Sequence, residues 1–282
     1  MKKDIQEEGR IMKIAFWSEN HREGTTSCMM AISAAAAWKM RVYCLSTQTH
    51  ILSEELEEFF LHDITEDERE CLRLEMGTDS LIRQFKSGKL TGEDVLNNSI
   101  EKEGGLSYLI PSCRIEGRSI DADLLAKILP LVYSAAEEKF ETVMIDAGTG
   151  IDDSTIQILA EADVVAVVCC QGKKIVRRSI ETLRDAGIAE EKLFFVFSRY
   201  IPTSRYNINN LKFFLGRLGT GNTGAVPLST AFMDAIEEGR QYNFLKSLER
   251  NPRETEDPYF FKEIVNCAEK LIGMCRRIVW RR

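Results

Sequence analysis

The sequence predicts an α/β protein with a mostly parallel, doubly wound sheet flanked by helices. Short apolar runs alternate with amphipathic segments along the chain, which is the order expected of βαβ units. The run ADVVAVVCC at 162–170 is apolar almost throughout, as expected of a strand covered on both faces. Of the 282 residues, 44% are hydrophobic, and that fraction is large enough to fill a core.

The first half of the chain begins with a strand at Ile11–Trp17, a polar loop, and a helix rich in Ala and Met that extends to Trp38. A second strand is predicted at Arg41–Leu45. A helical region follows, and a further helix starts at Thr91, where Asp94 three residues later gives a helix-start signature. The remaining elements of this half are a strand at 106–111, a helix at 122–140 and a strand at 142–146.

The second half repeats this rhythm, and its first helix is predicted to end at Gly187 because glycine favours a helix stop. The predicted strands lie at 162–170, 193–198 and 224–228, and the predicted helices at 175–187, 207–216, 233–239 and 261–279. We expect residues 1–10 to form a flexible tail and residues 11–282 to form one α/β domain.

Composition and charge restrict the class of protein. The 37 Lys and Arg residues against 44 Asp and Glu residues give a net charge of −7, so the whole molecule is not a basic nucleic-acid binder. The eight cysteines include no CxxC pair, which favours a reduced, cytoplasmic protein without a structural metal. The polar start MKKDIQEEGR is not a signal peptide, and no apolar run reaches the roughly 18 residues that span a bilayer.

Parallel sheets bind ligands beyond the carboxyl ends of their strands, which points to the loops after Trp17, Leu45, Asp146 and Phe197. The first of these, WSENHREGTTS, joins a strand to a helix, where backbone N–H groups and the helix dipole can surround an anion.

The phosphate-loop pattern is present only in part. Gly24 matches its second glycine and Thr26 its final hydroxyl, but Glu19 stands at the first glycine and Thr25 at the lysine. Thr25 or Thr26 as an ordinary helix N-cap is the alternative interpretation.

The order of several segments resembles the MinD/ParA family of deviant-Walker ATPases from Met12 to the final helix. The resemblance lies in the following segments: KIAFWSENHREGTTSCMMAISAAAAWKMRVYCL, TVMIDAGTGID, ADVVAVVCCQGKKIVRRSIETL and GAVPLSTAFMDAIEEGRQYNFL. Within that family the chain is most similar to TadZ/CpaE-type proteins, which help to place pilus machinery and often have irregular phosphate loops. The resemblance implies that residues 11–282 form a single P-loop NTPase-like domain. It also implies a homodimer and a protein partner belonging to an assembly machine.

The resemblance also implies a site for ATP or ADP with Mg²⁺. Thr26 would face the metal, and Asp146 would support it through a carboxylate. Arg22 and Asp146 are the candidate catalytic residues, with Arg22 or His21 supplying positive charge. The implied nucleotide contacts are His21, Arg22, Glu23, Gly24, Thr25, Thr26 and Ser27 around the phosphates, and Ser198, Arg199, Pro227 and Leu228 around a base. Asp146 as a cap for a helix near Asp152 or Asp153, a solvated Arg22, and ordinary loop chemistry at the base residues remain open alternatives.

The chain departs from the family at several chemical positions. The two usual lysines fall at Asn20 and Thr25, the expected acids at Ser46 and Gln48, and the adenine-reading asparagine at Ser198. Each lost donor commonly costs a factor of about 10²–10³ in rate, whereas backbone amides and Mg²⁺ still bind phosphate. We therefore expect nucleotide binding with weak or absent hydrolysis. A catalytically dead scaffold for protein contacts is the alternative.

Two surface clusters suggest further partners. Lys173, Lys174, Arg177 and Arg178 would contact DNA phosphates, as in a partitioning protein, or an acidic partner, or they simply form a solvated helix face. Ile278–Trp280 lies between arginine pairs and resembles a short interfacial membrane anchor, which would place the protein at the inner face of the membrane.

Overall fold

The structure of the chain is a computed structural model. The structure describes residues 11–49, 54–85, 88–112, 122–219, 221–251 and 258–280. The expected flexible tail at 1–10 and the terminal arginines Arg281 and Arg282 lie outside the described residues.

The eight strands of the described residues form one sheet in the order β3-β4-β2-β5-β1-β6-β7-β8. Every pairing is parallel except that of β3 with β4 at one edge. The mostly parallel, doubly wound sheet is therefore confirmed. The strands are β1 (Met12–Ser18), β2 (Cys44–Gln48), β3 (Ile100–Lys102), β4 (Leu106–Tyr108), β5 (Thr142–Thr149), β6 (Val164–Cys169), β7 (Leu193–Tyr200) and β8 (Thr223–Pro227).

Helices cover both faces of this sheet. The side chains of its central strand, β1, alternate between two apolar layers, one on each face. Ile14 and Phe16 of β1 join the layer that contains α1 and α12, whereas Ala15 and Trp17 join the layer of α7, α8 and α9. The helices are α1 (Thr25–Met40), α2 (Glu55–Leu61), α3 (Glu66–Glu75), α4 (Gly77–Phe85), α5 (Gly92–Asn97), α6 (Ala122–Ala136), α7 (Asp153–Glu161), α8 (Lys173–Asp185), α9 (Ile208–Leu215), α10 (Thr230–Glu237), α11 (Gln241–Arg250) and α12 (Pro258–Val279).

The second strand differs from its prediction. Arg41 caps the end of α1 in a left-handed conformation with φ 56°, so the strand begins only at Cys44 and extends to Gln48. Ser46 and Gln48 therefore lie inside a buried strand. The antiparallel edge strand β3 was not predicted, and the helical region after β2 consists of three short helices, α2 to α4.

Two local signals are confirmed. The hydroxyl of Thr91 accepts a hydrogen bond from the main-chain N–H of Asp94, whose carboxylate accepts one from the N–H of Thr91, as a capping box requires. Gly187, with φ 76°, follows the end of α8 and allows the chain to turn there.

A close approach between β8 and α12 gives a stability test. A methyl group on Gly224 would lie 3.0 Å from Cβ and 3.2 Å from Cα of Cys267, and closer still to its sulfur. We expect Gly224→Ala to lower the free energy of unfolding by about 1–3 kcal/mol, measured by denaturant unfolding, because helix and strand must separate. Gly88→Ala, where a methyl group meets no atom within 4 Å, is the control. A smaller loss in a Cys267→Ala background is expected, and an equal loss would contradict the explanation.

Candidate functional site

The loop between β1 and α1 is turned into the helix by Gly24. Its φ is 81° and it occupies the N-cap position without a side-chain hydrogen bond, so the interpretation of Thr25 or Thr26 as N-cap is wrong. Both threonines are the first residues of the helix. The hydroxyl of Thr25 donates a hydrogen bond to Ser18 Oγ at 2.8 Å. The hydroxyl of Ser18 in turn donates to the carbonyl of Asn20 at 3.0 Å. The base of the loop is thus held by its own hydroxyl groups.

Outside the turn at His21 and Arg22, the main-chain amides of residues 20–27 donate no hydrogen bond to any described protein group. The first four N–H groups of a helix have no partner within the helix, and those of Thr25, Thr26 and Ser27 lie in the first turn of α1. These donors, together with the positive end of the α1 dipole, form a region suited to an anion.

Asp146 is a buried carboxylate beside the first turn of α1. It is 1% exposed, and it accepts hydrogen bonds from the hydroxyl of Thr26 at 2.6 Å and from the main-chain N–H of Gly148 at 2.9 Å. Burial raises the pKa of Asp146, although these two hydrogen bonds oppose the rise. The alternative role of Asp146 as a helix cap is wrong, because Asp152 caps α7 by accepting from the N–H of Thr155.

A second acid, Glu55, was not identified from the sequence. Its carboxylate accepts a hydrogen bond from Ser27 Oγ at 3.2 Å, which places it beside the first turn of α1. Burial raises the pKa of Glu55, the hydrogen bond from Ser27 lowers it, and the negative charge of Asp146 raises it further. The only available signal was the position of Glu55 shortly after β2, at the same edge of the sheet.

The two acids of the loop have partners outside it. Glu19 Oε1 accepts a hydrogen bond from the guanidinium of Arg178 on α8 at 2.7 Å. The carboxylate of Glu23 accepts one from the main-chain N–H of Cys170 at 2.7 Å. Arg178, predicted as part of a basic surface, is therefore partly used to neutralise the loop.

The residues expected around a base have different neighbours. The guanidinium of Arg199 donates to the carbonyl of Arg22 and contacts Cys170 Sγ at 3.2 Å. Ser198 is buried and borders the loop, because a methyl group on Gly24 would lie 3.8 Å from its Cβ. Pro227 is placed one strand further out, opposite Tyr200, and Leu228 is 40% exposed.

The two candidate cations of the loop are exposed. His21 Nδ1 lies 2.9 Å from the hydroxyl of Thr149 at the end of β5. Arg22 has φ 64°, as unusual for a non-glycine residue as the φ of 46° at Arg199. The hydrogen bond from Arg199 to the Arg22 carbonyl therefore joins the end of β7 to the loop, and both of its residues have left-handed conformations.

Several side chains of the two surface clusters pack against other parts of the chain. Lys173 Nζ and the Arg177 guanidinium lie 5.6 and 5.8 Å from the ring centre of Phe214. Of the apolar residues in Ile278–Trp280, Val279 is buried, Ile278 packs against the core and Trp280 is exposed. In the part of the chain that the structure describes, no helix is long and apolar enough to cross a membrane, and no cluster of three or more His, Cys, Asp or Glu residues is arranged as a metal site.

No protein-family model matches the sequence, and no curated protein matches it significantly. Solved structures do match. A ParA family ATPase from Chlorobium tepidum aligns with TM-score 0.64 at 16% identity, over 92% of this chain and 97% of that one. The chain has the MinD/ParA fold. A plasmid partition protein from Borrelia burgdorferi bound to AMPPNP aligns at TM-score 0.62 and 15% identity (93% and 99% covered). MinD from Pyrococcus horikoshii with Mg-ADP aligns at 0.59 and 14% (94% and 98%).

The buried carboxylate of Asp146 predicts a pH-dependent stability. A carboxyl group with a raised native pKa binds its proton more tightly in the folded chain, so its stabilising contribution falls as pH rises from about 4 through the raised native value. Asp146→Asn should therefore be more stable than the wild type at pH 7, and this gain should shrink towards pH 4. Denaturant unfolding at several pH values measures the difference.

Asp94→Asn is the control of opposite sign, because hydrogen bonds from Thr91 lower the pKa of Asp94. This variant should lose stability at pH 7 and lose less at low pH. A gain for Asp146→Asn that does not change with pH would show that packing, rather than charge, is responsible.

Proposed function

We propose that the chain is a MinD/ParA-like switch that binds ATP or ADP with Mg²⁺ at the head of α1. The observation that carries the proposal is the hydrogen bond from Thr26 to the buried Asp146, beside main-chain amides that have no described protein acceptor. Hydroxyl and carboxylate oxygens are the ligands that Mg²⁺ prefers, and free amides are suited to phosphate. The fold shared with nucleotide-bound structures supports the proposal.

The residues present fit a magnesium ion. Thr26 would hold it through its hydroxyl, and Asp146 would hold it directly or through water. The bound ion would neutralise phosphate charge. The protein itself supplies the helix dipole, the loop amides and the orientation of the Thr26 hydroxyl, which Asp146 fixes by accepting its hydrogen bond.

We infer that hydrolysis is weak or absent. Phosphoryl transfer depends on positioned positive charge, and Asn20 and Thr25 are neutral where the family has lysines. Arg178 and Arg199 are engaged with Glu19 and the Arg22 carbonyl, which leaves the exposed Arg22 and His21 as the cationic candidates of the loop.

The cellular role we favour is the positioning or assembly of a machine, as in TadZ-like pilus assembly. A homodimer would close on ATP, and the affinity for a protein partner would follow dimerisation. This finer assignment rests on the resemblance of the sequence segments and on the irregular phosphate loop. We further propose that residues 11–282 form a single domain.

Isothermal titration with Mg-ATP and the Thr26→Val variant test the site. Because valine keeps the shape of threonine but removes the hydroxyl, we expect the affinity for Mg-ATP to fall by about tenfold or more. The dependence of binding on Mg²⁺ should fall as well. Thr182→Val, near the far end of α8, is the control and should bind like the wild type. No heat from the folded wild type at millimolar nucleotide would contradict the proposal.

A scaffold without nucleotide is the second candidate, and the acids of the loop favour it. Glu19 and Glu23 add negative charge beside a place where a triphosphate would need positive charge, and Glu19 Oε2 is buried with no described hydrogen-bond partner. A ligand that binds only the native state must raise the thermal midpoint. An unchanged midpoint at saturating Mg-ATP would therefore favour the scaffold.

A further inference from the structure

Gln48, at the end of β2, has a buried side-chain amide without a partner. The residue is 1% exposed, and neither Oε1 nor Nε2 forms a hydrogen bond with any described group. A buried amide without hydrogen bonds is costly, and native proteins contain few of them. A ligand that supplies the missing bonds would offset this cost.

The strand pairing places this amide beside the candidate site. Gln48 pairs with Asp146 in the parallel β2–β5 ladder, so the two side chains leave the sheet on the same face. On that face Asp146 meets Thr26, and Ser27 of the same helical turn meets Glu55. The amide of Gln48 thus faces the same edge as the head of α1.

The order of strands defines which end of a nucleotide would lie there. The candidate base residues Ser198 and Pro227 are in β7 and β8, on one side of β1. Gln48 is in β2, on the other side of β1 and beyond β5. With the phosphates at the head of α1, the group nearest to Gln48 would be the terminal phosphate.

We propose that the side-chain amide of Gln48 binds the third phosphate of a nucleoside triphosphate and so distinguishes it from a diphosphate. The proposal rests on the proposed function of the site. An amide N–H donates to a phosphate oxygen without adding negative charge, whereas Asp146 and Glu55 at the same edge repel phosphate when ionised. A diphosphate leaves the amide unpaired, which costs affinity relative to the triphosphate.

The test compares Mg-ATP and Mg-ADP by titration calorimetry on the full chain, with the thermal midpoint of each protein measured without ligand. Gln48→Met replaces the amide with an apolar side chain of similar size. It should lower the affinity for Mg-ATP about ten- to hundredfold. The same variant should keep the affinity for Mg-ADP within about twofold of the wild type and raise the thermal midpoint of the ligand-free protein by roughly 2–4 °C. Gln48→Asn, which keeps the amide but withdraws it, should also reduce the preference for ATP.

Ser46→Ala is the matched control. Ser46 lies two residues earlier on the same face of β2, and its hydroxyl is also buried without a described partner, but it pairs with Met144, deeper in the sheet. This variant should keep the wild-type ratio of the two affinities.

Three outcomes would overturn the inference. If Gln48→Met raises the midpoint but leaves both affinities unchanged, the buried amide is only a packing defect. If both affinities fall equally, Gln48 does not read the third phosphate. If the folded wild type binds neither nucleotide, the proposed function fails, and the role of Gln48 fails with it.

Discussion

The hydrogen bond between Thr26 and Asp146 is the contact on which the candidate site depends. It joins the first turn of α1 to β5, so it requires that β5 pairs directly with β1, as the register Phe16 to Asp146 shows. It also requires that the chain turns into the helix at Gly24, whose left-handed conformation a larger residue adopts only with strain. A displacement of either strand would leave Asp146 buried without the hydroxyl proton of Thr26.

Burial gives this contact its electrostatic character. Asp146 and Glu55 are two acids at one edge, and burial raises the pKa of each. The nearby guanidinium groups of Arg178 and Arg199 are engaged with Glu19 and the Arg22 carbonyl. An anion entering this edge would therefore have to be neutralised by the exposed Arg22 and His21 or by a cation that it brings with it. The proposed dependence on Mg²⁺ follows from that balance of charge.

The order of elements could be predicted because local sequence patterns indicate it. The run 162–170 is too apolar for a solvent-facing element, and Thr91 with Asp94 signals a helix start within four residues. The position of β2 could not be predicted in this way, since Ser46 and Gln48 look like loop residues. They belong to a strand because β2 pairs with β5 along its whole length, and that pairing is a tertiary effect.

The candidate site was predictable to the same extent. Thr26 and Asp146 were identified because Asp146 ends a predicted strand and Thr26 follows the loop after another, at positions that the family resemblance marks. The bond between Ser27 and Glu55 joins residues 28 positions apart, and the bond between Arg199 and Arg22 joins residues 177 apart. No periodicity in the sequence reports such contacts, because the folded sheet alone brings their elements to one edge.

The link between Arg22 and Arg199 suggests how the loop keeps its shape. Both residues have positive φ, and a non-glycine residue in this conformation costs on the order of 1 kcal/mol. Such strain persists only where surrounding contacts fix it. The Arg199 guanidinium supplies one of those contacts by bonding the Arg22 carbonyl, and it places a fixed positive charge beside a loop that contains Glu19 and Glu23. The cation thus acts from the end of β7 rather than from within the loop, and the loop amides are left free to bind an anion.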